Sequence, residues 1–206
     1  SNLVCFEMEE LMRQQSAIAP ALTNLFDRLE ERFDGSPTLL LLDEAWLFLD
    51  NPMFSGRIRD WLKTLRKKNV SVIFATQSLS DVQASAIAPA IIESCPSRIF
   101  LPNPRAKESS IHTAYSGFGL NDRQIDIIAS MTPKQEYYYQ SPVGNRIFDL
   151  RLGDIALAFC GASSPQDHRL IDKIIVEASD APFARQLLAA KELDWAAELL
   201  PEPSSS

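Results

Sequence analysis

Two short apolar runs stand out from the helical spacing that governs most of this chain. Residues 38–42 (Thr-Leu-Leu-Leu-Leu) end on Asp43 and Glu44, and residues 70–75 end on Thr76, Gln77 and Ser78. Both read as buried strands, the first apolar on both faces as a central parallel strand covered by helices should be. Between them lies a basic amphipathic helix. Asn51 caps it with Pro52 at its first position, Phe54, Ile58, Leu62 and Leu65 face inward, and Asn69 suits the left-handed residue past its end. Its other faces carry Arg57, Arg59, Lys63, Arg66, Lys67 and Lys68.

Upstream, residues 3–7 read as a further buried strand, with Glu7, Glu9 and Glu10 opening a short helix. A longer helix over 16–33 places Ile18, Leu22, Leu25, Leu29 and Phe33 on one face, and Asp34-Gly35-Ser36-Pro37 stops it. Downstream, Ser80 and Asp81 start a helix interrupted near Pro89, and residues 98–101 form a strand running into Pro102-Asn103-Pro104. This alternation implies a parallel sheet with helices on both faces, an α/β fold. The pattern then changes. A helix over 107–115 precedes one capped by Asn121, with Leu120 stapled onto Ile125. Residues 135–141 and 146–150 flank Pro142-Val143-Gly144-Asn145 as an antiparallel hairpin. Helices over 155–161, 166–177 and 182–200 form a carboxyl-terminal appendage, and a Pro/Ser tail frays.

The 206 residues, 46% hydrophobic, suit one domain with an appendage. No apolar run approaches the roughly eighteen residues that span a bilayer. No secretory signal stands at the start, and a first residue of Ser1 marks an amino end that is not the natural one. A net charge of −7 argues against nucleic-acid binding over the whole surface and leaves room for one basic patch. Cys5, Cys95 and Cys160, odd in number and among apolar neighbours, read as buried thiols of a reducing compartment.

The polar strand tips carry the chemistry. An apolar strand ending in Asp-Glu offers one carboxylate to the water shell of Mg²⁺ and a second to an attacking water, and a Gln on a neighbouring tip can sense a γ-phosphate. Each also has a plain reading, since polar residues commonly end buried strands where water begins. Arg66 is either one member of a solvated basic face or an arginine reaching a neighbouring subunit's phosphate. His112 and His168 have no partner at metal-ligand spacing and read as structural or surface residues. Tyr137, Tyr138 and Tyr139 read as core and cross-strand pairs before they read as a base-stacking platform. No Ser/His/Asp set, Cys/His pair or CxxC is placed for hydrolytic or redox chemistry, and no G-x-x-x-x-G-K-[ST] phosphate loop occurs in these residues.

Four stretches in order, Leu42-Asp43-Glu44-Ala45-Trp46, Trp61 through Asn69, Ala75-Thr76-Gln77-Ser78 and Leu101-Pro102-Asn103-Pro104, resemble the VirB/TrbE-type ATPases. These are the fourth VirB component of bacterial type IV secretion and conjugation machines. The resemblance covers roughly residues 3–150 and implies a RecA-like P-loop NTPase sheet, of which this chain is the carboxyl-terminal part. It implies ATP and Mg²⁺ as ligands, with Asp43 on the metal side through water and Glu44 catalytic. Thr76 and Gln77 would lie at the nucleotide, with Gln77 as γ-phosphate sensor and Arg66 acting in trans. It also implies self-assembly as a hexamer or lower oligomer, other secretion components as partners, and a cytoplasmic place peripheral to the inner membrane. A DNA or protein substrate would be met only transiently, with no stable nucleic-acid complex. The domain reading is a Walker B and sensor half over 1–105, helices, hairpin and helical extension over 106–203, and a tail over 204–206. Alternatives are a DNA-translocating coupling-type ATPase and a non-catalytic assembly module. In the RecA-like order 5-1-4-3-2 the strands at 3–7, 38–42, 70–76 and 98–101 take places 2, 3, 4 and 5. The last two are then not expected to pair, and these residues alone are expected to be inactive.

Overall fold

A computed structural model describes residues 3–6, 15–44, 52–177 and 181–200. The chain divides into one compact unit over 1–133 and 137–147, and a second over 134–136 and 148–206. The expected cap at Asn51, the acidic residues Glu7, Glu9 and Glu10, Trp46 and the Pro/Ser tail lie outside the described residues.

In the first unit, α1 (Gln15–Glu31) buries Leu22 and Phe26, one turn apart. Asp34 then turns the chain, its Oδ1 accepting from the Ser36 N–H at 2.9 Å, while Gly35 takes φ +99° where a side chain would be strained. This delivers β1 (Thr38–Leu42). Helix α2 (Pro52–Thr64) continues as a 3₁₀ turn, Leu65–Lys68, and buries Phe54, Ile58, Trp61 and Leu65 at spacings of four, three and four. Trp61 stacks on Phe26 with ring centroids 4.6 Å apart and meets Phe33 edge-on. The Glu30 carboxylate accepts from Trp61 Nε1 at 2.6 Å and Arg57 Nε at 3.1 Å, and Arg57 also pairs with Asp27. The hydrogen bond from Arg57, with that from Trp61, holds the Glu30 carboxyl below its ordinary value. Thus α1 and α2 are clamped by both an aromatic stack and a charged network.

Strand β2 (Val70–Phe74) pairs parallel with β1, from Thr38 opposite Val70 to Leu42 opposite Phe74. Among the described residues, the buried side chains of this pair lie mostly on one face. Leu40, Leu42 and Val70 are buried, whereas Leu39, Leu41 and Ile73 are 58%, 63% and 49% exposed. The expected burial on both faces is therefore corrected: the described helices cover one side, and the apolar run continues on the side they leave open. Residues 3–6 correct a second expectation, since they form no strand and Leu3, Val4 and Phe6 are exposed.

After β2 come α3 (Leu79–Ala84) and α4 (Ala88–Ser94), with the break at Ser85 rather than at Pro89. Pro89 lies in the first turn of α4, where its missing N–H costs nothing. Strand β3 (Arg98–Phe100) does not extend the parallel pair. It joins β4 (Glu136–Ser141) and β5 (Gly144–Asp149) in a separate antiparallel sheet of order β3-β4-β5. The aromatic pairing gives the reason: Phe100 lies opposite Tyr138, both buried, and Tyr115 meets Phe100 edge-on at 5.8 Å. Strands β2 and β3 do not pair, but the expected place of residues 98–101 in one parallel sheet with β1 and β2 is corrected, since β3 lies antiparallel in another sheet. Helices α5 (Ser109–Gly117) and α6 (Asp122–Ser130) complete the unit, α6 opened by a reciprocal cap between Asn121 and Gln124. The architecture is α/β, with a parallel pair, a small antiparallel hairpin sheet and helices.

The second unit contains α7 (Asp154–Cys160), α8 (Pro165–Val176), α9 (Phe183–Ala190) and α10 (Asp194–Glu198). Ala158, Ala196 and Ala197 pack with Leu188, and such small residues let helices approach closely. Asp167 caps α8 through Ser164 and also binds Lys191, and these bonds hold its carboxyl far below the usual range. The expected single helix over 182–200 is two helices. Glu192 adopts φ +61° and the Leu193 N–H bonds back to the Leu188 carbonyl at 2.9 Å, a left-handed stop made without glycine.

Candidate functional site

Because β1 and β2 are parallel and in register, the residues that follow them leave the sheet side by side. The ladder runs one bond further, the Ala75 N–H donating to the Leu42 carbonyl at 2.9 Å. Beyond it stand Asp43 and Glu44 on one tip and Thr76 and Gln77 on the other. The carboxyl end of parallel strands is where α/β sheets take ligands.

The two carboxylates are engaged differently. Asp43 Oδ1 accepts from the backbone N–H of Glu44 at 2.9 Å, and Glu44 Oε1 accepts from Gln77 Nε2 at 2.9 Å. Glu44 sits at φ +48°, the left-handed region that a residue with a Cβ rarely occupies. Such backbone outliers gather at active sites and switches, where surrounding contacts hold them. Thr76 is spent on the turn itself. Its hydroxyl donates to the Ser78 carbonyl at 3.3 Å and accepts from the Ser78 N–H at 3.2 Å, while Ser78 caps α3 by accepting from the Asp81 N–H. The sequence missed the Glu44–Gln77 bond, because residues thirty-three apart meet only through the strand register.

Arg66 is not brought to this cluster. It lies exposed in the 3₁₀ turn that leads into the start of β2, with Lys67 and Lys68 beside it. Five strand residues at about 3.3 Å each put it on the order of 17 Å from the tips. Of the remaining cations on α2, Arg57 is committed to Glu30 and Asp27, and Arg59 donates to the Ala86 carbonyl at 3.3 Å.

The other sequence candidates take plain roles. His112 Nε2 lies 3.1 Å from Asp122 on the surface, and His168 is one of the residues of α8. Tyr138 is core, and Tyr139 carries Arg146 over its ring at 5.7 Å, as cross-strand partners do. The cysteines correct the expectation of buried thiols. Cys5 and Cys160 are exposed, on a solvent-facing segment and at the last position of α7, and only Cys95 is partly covered, with burial pushing its thiol up. No group of three or more His, Cys, Asp or Glu that could hold a metal ion occurs among the described residues. No described helix is long and apolar enough to cross a membrane.

Residues 2–142 match the family model described as the TraG P-loop domain. The chain is 49% identical over 168 residues to conjugal transfer protein TrbE of Rhizobium radiobacter, which covers 81% of this chain and 20% of that protein. It is 34% identical over 130 residues to type IV secretion system protein virB4 of Bartonella quintana, covering 63% of this chain and 16% of that protein. Among solved structures, VirB4 of Thermoanaerobacter pseudethanolicus matches 66% of this chain and 37% of its own with a TM-score of 0.54 at 19% identity, a likeness of fold. The chain thus spans about a fifth of the length of the curated relatives it matches.

Proposed function

We propose, because the chain belongs to the TraG P-loop domain family and is similar to TrbE and virB4 proteins, that it carries the hydrolytic edge of an ATPase. That ATPase would power substrate transfer or pilus assembly in a type IV secretion system. One observation supports this above the rest: the Glu44 carboxylate and the Gln77 amide meet at 2.9 Å across adjacent parallel strand tips. Glu44 takes the proton of the attacking water, a role that requires a carboxylate within one hydrogen bond of that water. Gln77 reads the γ-phosphate, and Thr76 shapes the turn that presents it.

The donor set suits Mg²⁺, which uses one or two carboxylates together with phosphate oxygens and water and needs no all-protein cage. Asp43 would hold it through a water, using the oxygen not turned to the Glu44 amide. When bound with ATP, the ion neutralises charge on the phosphates. Arg66, remote from its own site, serves the site of a second copy in a ring or smaller oligomer. Other secretion components at the cytoplasmic face of the inner membrane are its further partners.

The test is Glu44→Gln in a full-length protein carrying this chain. A carboxamide cannot accept the proton, so hydrolysis falls by about 10²–10⁴-fold while ATP binding persists. Asp43→Ala weakens Mg²⁺-dependent binding instead. The isolated chain, which has no G-x-x-x-x-G-K-[ST], is the control and shows neither tight binding nor turnover. Near-normal hydrolysis by Glu44→Gln removes the role given to Glu44.

A further inference from the structure

We infer that Gln77 is a positioning residue that promotes hydrolysis through Glu44: one amide proton fixes the carboxylate while the other is presented to the terminal phosphate. The inference rests on the ATPase reading above and assigns Gln77 a second task in it.

A primary amide has two N–H donors and one carbonyl acceptor. One donor is already placed on Glu44 Oε1 at 2.9 Å, so sensing the phosphate does not require that bond to break. The base of the Gln77 side chain is held by its neighbours. The Thr76 hydroxyl closes on Ser78 in both directions, and Ser78 is tied to the first turn of α3. Glu44 adopts φ +48°, which glutamate rarely does. Among the described residues its hydrogen bonds are its own N–H to Asp43 Oδ1 and its Oε1 to Gln77, and only the second holds the carboxylate. With Oε1 engaged by the amide, Oε2 is the oxygen left to receive a proton from water. Removing the amide frees a flexible side chain to leave that orientation, and misplacing a base by about 1 Å can cost on the order of 10²-fold in rate.

A Gln that acted only on the phosphate would give different results in two measurements. The first needs no catalysis. In the ¹⁵N-labelled chain, the Gln77 side-chain amide signal, identified by its loss in Gln77→Ala, moves towards that of a water-exposed amide when Glu44→Ala is introduced. An unmoved signal overturns the inference. The second is single-turnover ATP hydrolysis by the full-length protein. Gln77→Ala lowers the rate at least about tenfold, since the base is no longer held in its orientation. In a Glu44→Ala background the same change slows the reaction by a clearly smaller factor, because only the contact to the phosphate is then left to lose. If Gln77→Ala slows both backgrounds by the same factor, Gln77 acts without Glu44. The inference then fails and the ATPase reading stands. If Glu44→Ala leaves turnover intact, both fail together.

Discussion

The two ends of the β1–β2 pair make the same kind of left-handed turn and carry opposite chemistry. At the amino end α2 runs out into Asn69, at φ +58°. Asparagine is among the few residues that accept this backbone. Its side chain donates to the Gly35 carbonyl at 3.2 Å, and its own carbonyl accepts from the Thr38 N–H at 3.1 Å. The cations Lys63, Arg66, Lys67 and Lys68 gather there, where the negative end of the helix dipole favours them. At the carboxyl end the left-handed position is occupied by Glu44, a residue that gains nothing from it. One end places a residue suited to the left-handed backbone, and the other holds a glutamate there against its preference. The same contrast separates Arg66 from the cluster at Glu44, and the trans role proposed for it depends on that separation.

That separation predicts the largest effect. Arg66→Ala lowers ATP hydrolysis by the full-length protein by about 10³-fold or more, the range for a trans-acting arginine. Mixing Arg66→Ala with Glu44→Gln subunits restores part of the activity, because some interfaces then join an intact Arg66 to an intact Glu44. Mixed oligomers that stay inactive would leave Arg66 as one cation among four at a helix end.

A smaller effect tests the strain itself, by chemical denaturation of this chain. Glycine relieves a left-handed position by about 1–2 kcal/mol relative to alanine, so Gly is favoured over Ala at both 44 and 69. The two ends then diverge when compared with the native residue. Asn69→Ala costs about 1 kcal/mol, whereas Glu44→Gly is neutral or stabilising, since glycine accepts the left-handed backbone that glutamate does not favour. Equal losses from Asn69→Ala and Glu44→Gly would contradict the contrast.

The sequence disclosed the two ends unequally. Asn69 and the cations were legible as the end of an amphipathic helix, and Asp43, Glu44 and Gln77 were legible as polar residues past apolar runs. Their contact was not, because it depends on Leu42 lying opposite Phe74, a register that no local pattern encodes. Nor does an all-leucine run reveal which of its faces is covered, so the exposure of Leu39 and Leu41 was hidden. The three residues of β3 have too little pattern to choose between parallel and antiparallel neighbours, and Phe100 settles the choice by packing with Tyr138 and Tyr115. The stop at Glu192 carried no glycine to announce it. The hairpin was placed correctly by its turn residues, although the turn is tighter than expected, with Pro142 and Val143 alone between β4 and β5.

The central claim is that nucleotide chemistry takes place at the carboxyl end of β1 and β2. A structure of the full-length protein with Mg²⁺ and a non-hydrolysable ATP analogue tests it most directly. The γ-phosphate is expected within hydrogen-bonding distance of Gln77, with a water of the metal's shell on Asp43 and the Glu44 carboxylate facing the position of the attacking water. A γ-phosphate bound away from these three residues, or at the cationic end beside its own chain's Arg66, would contradict it.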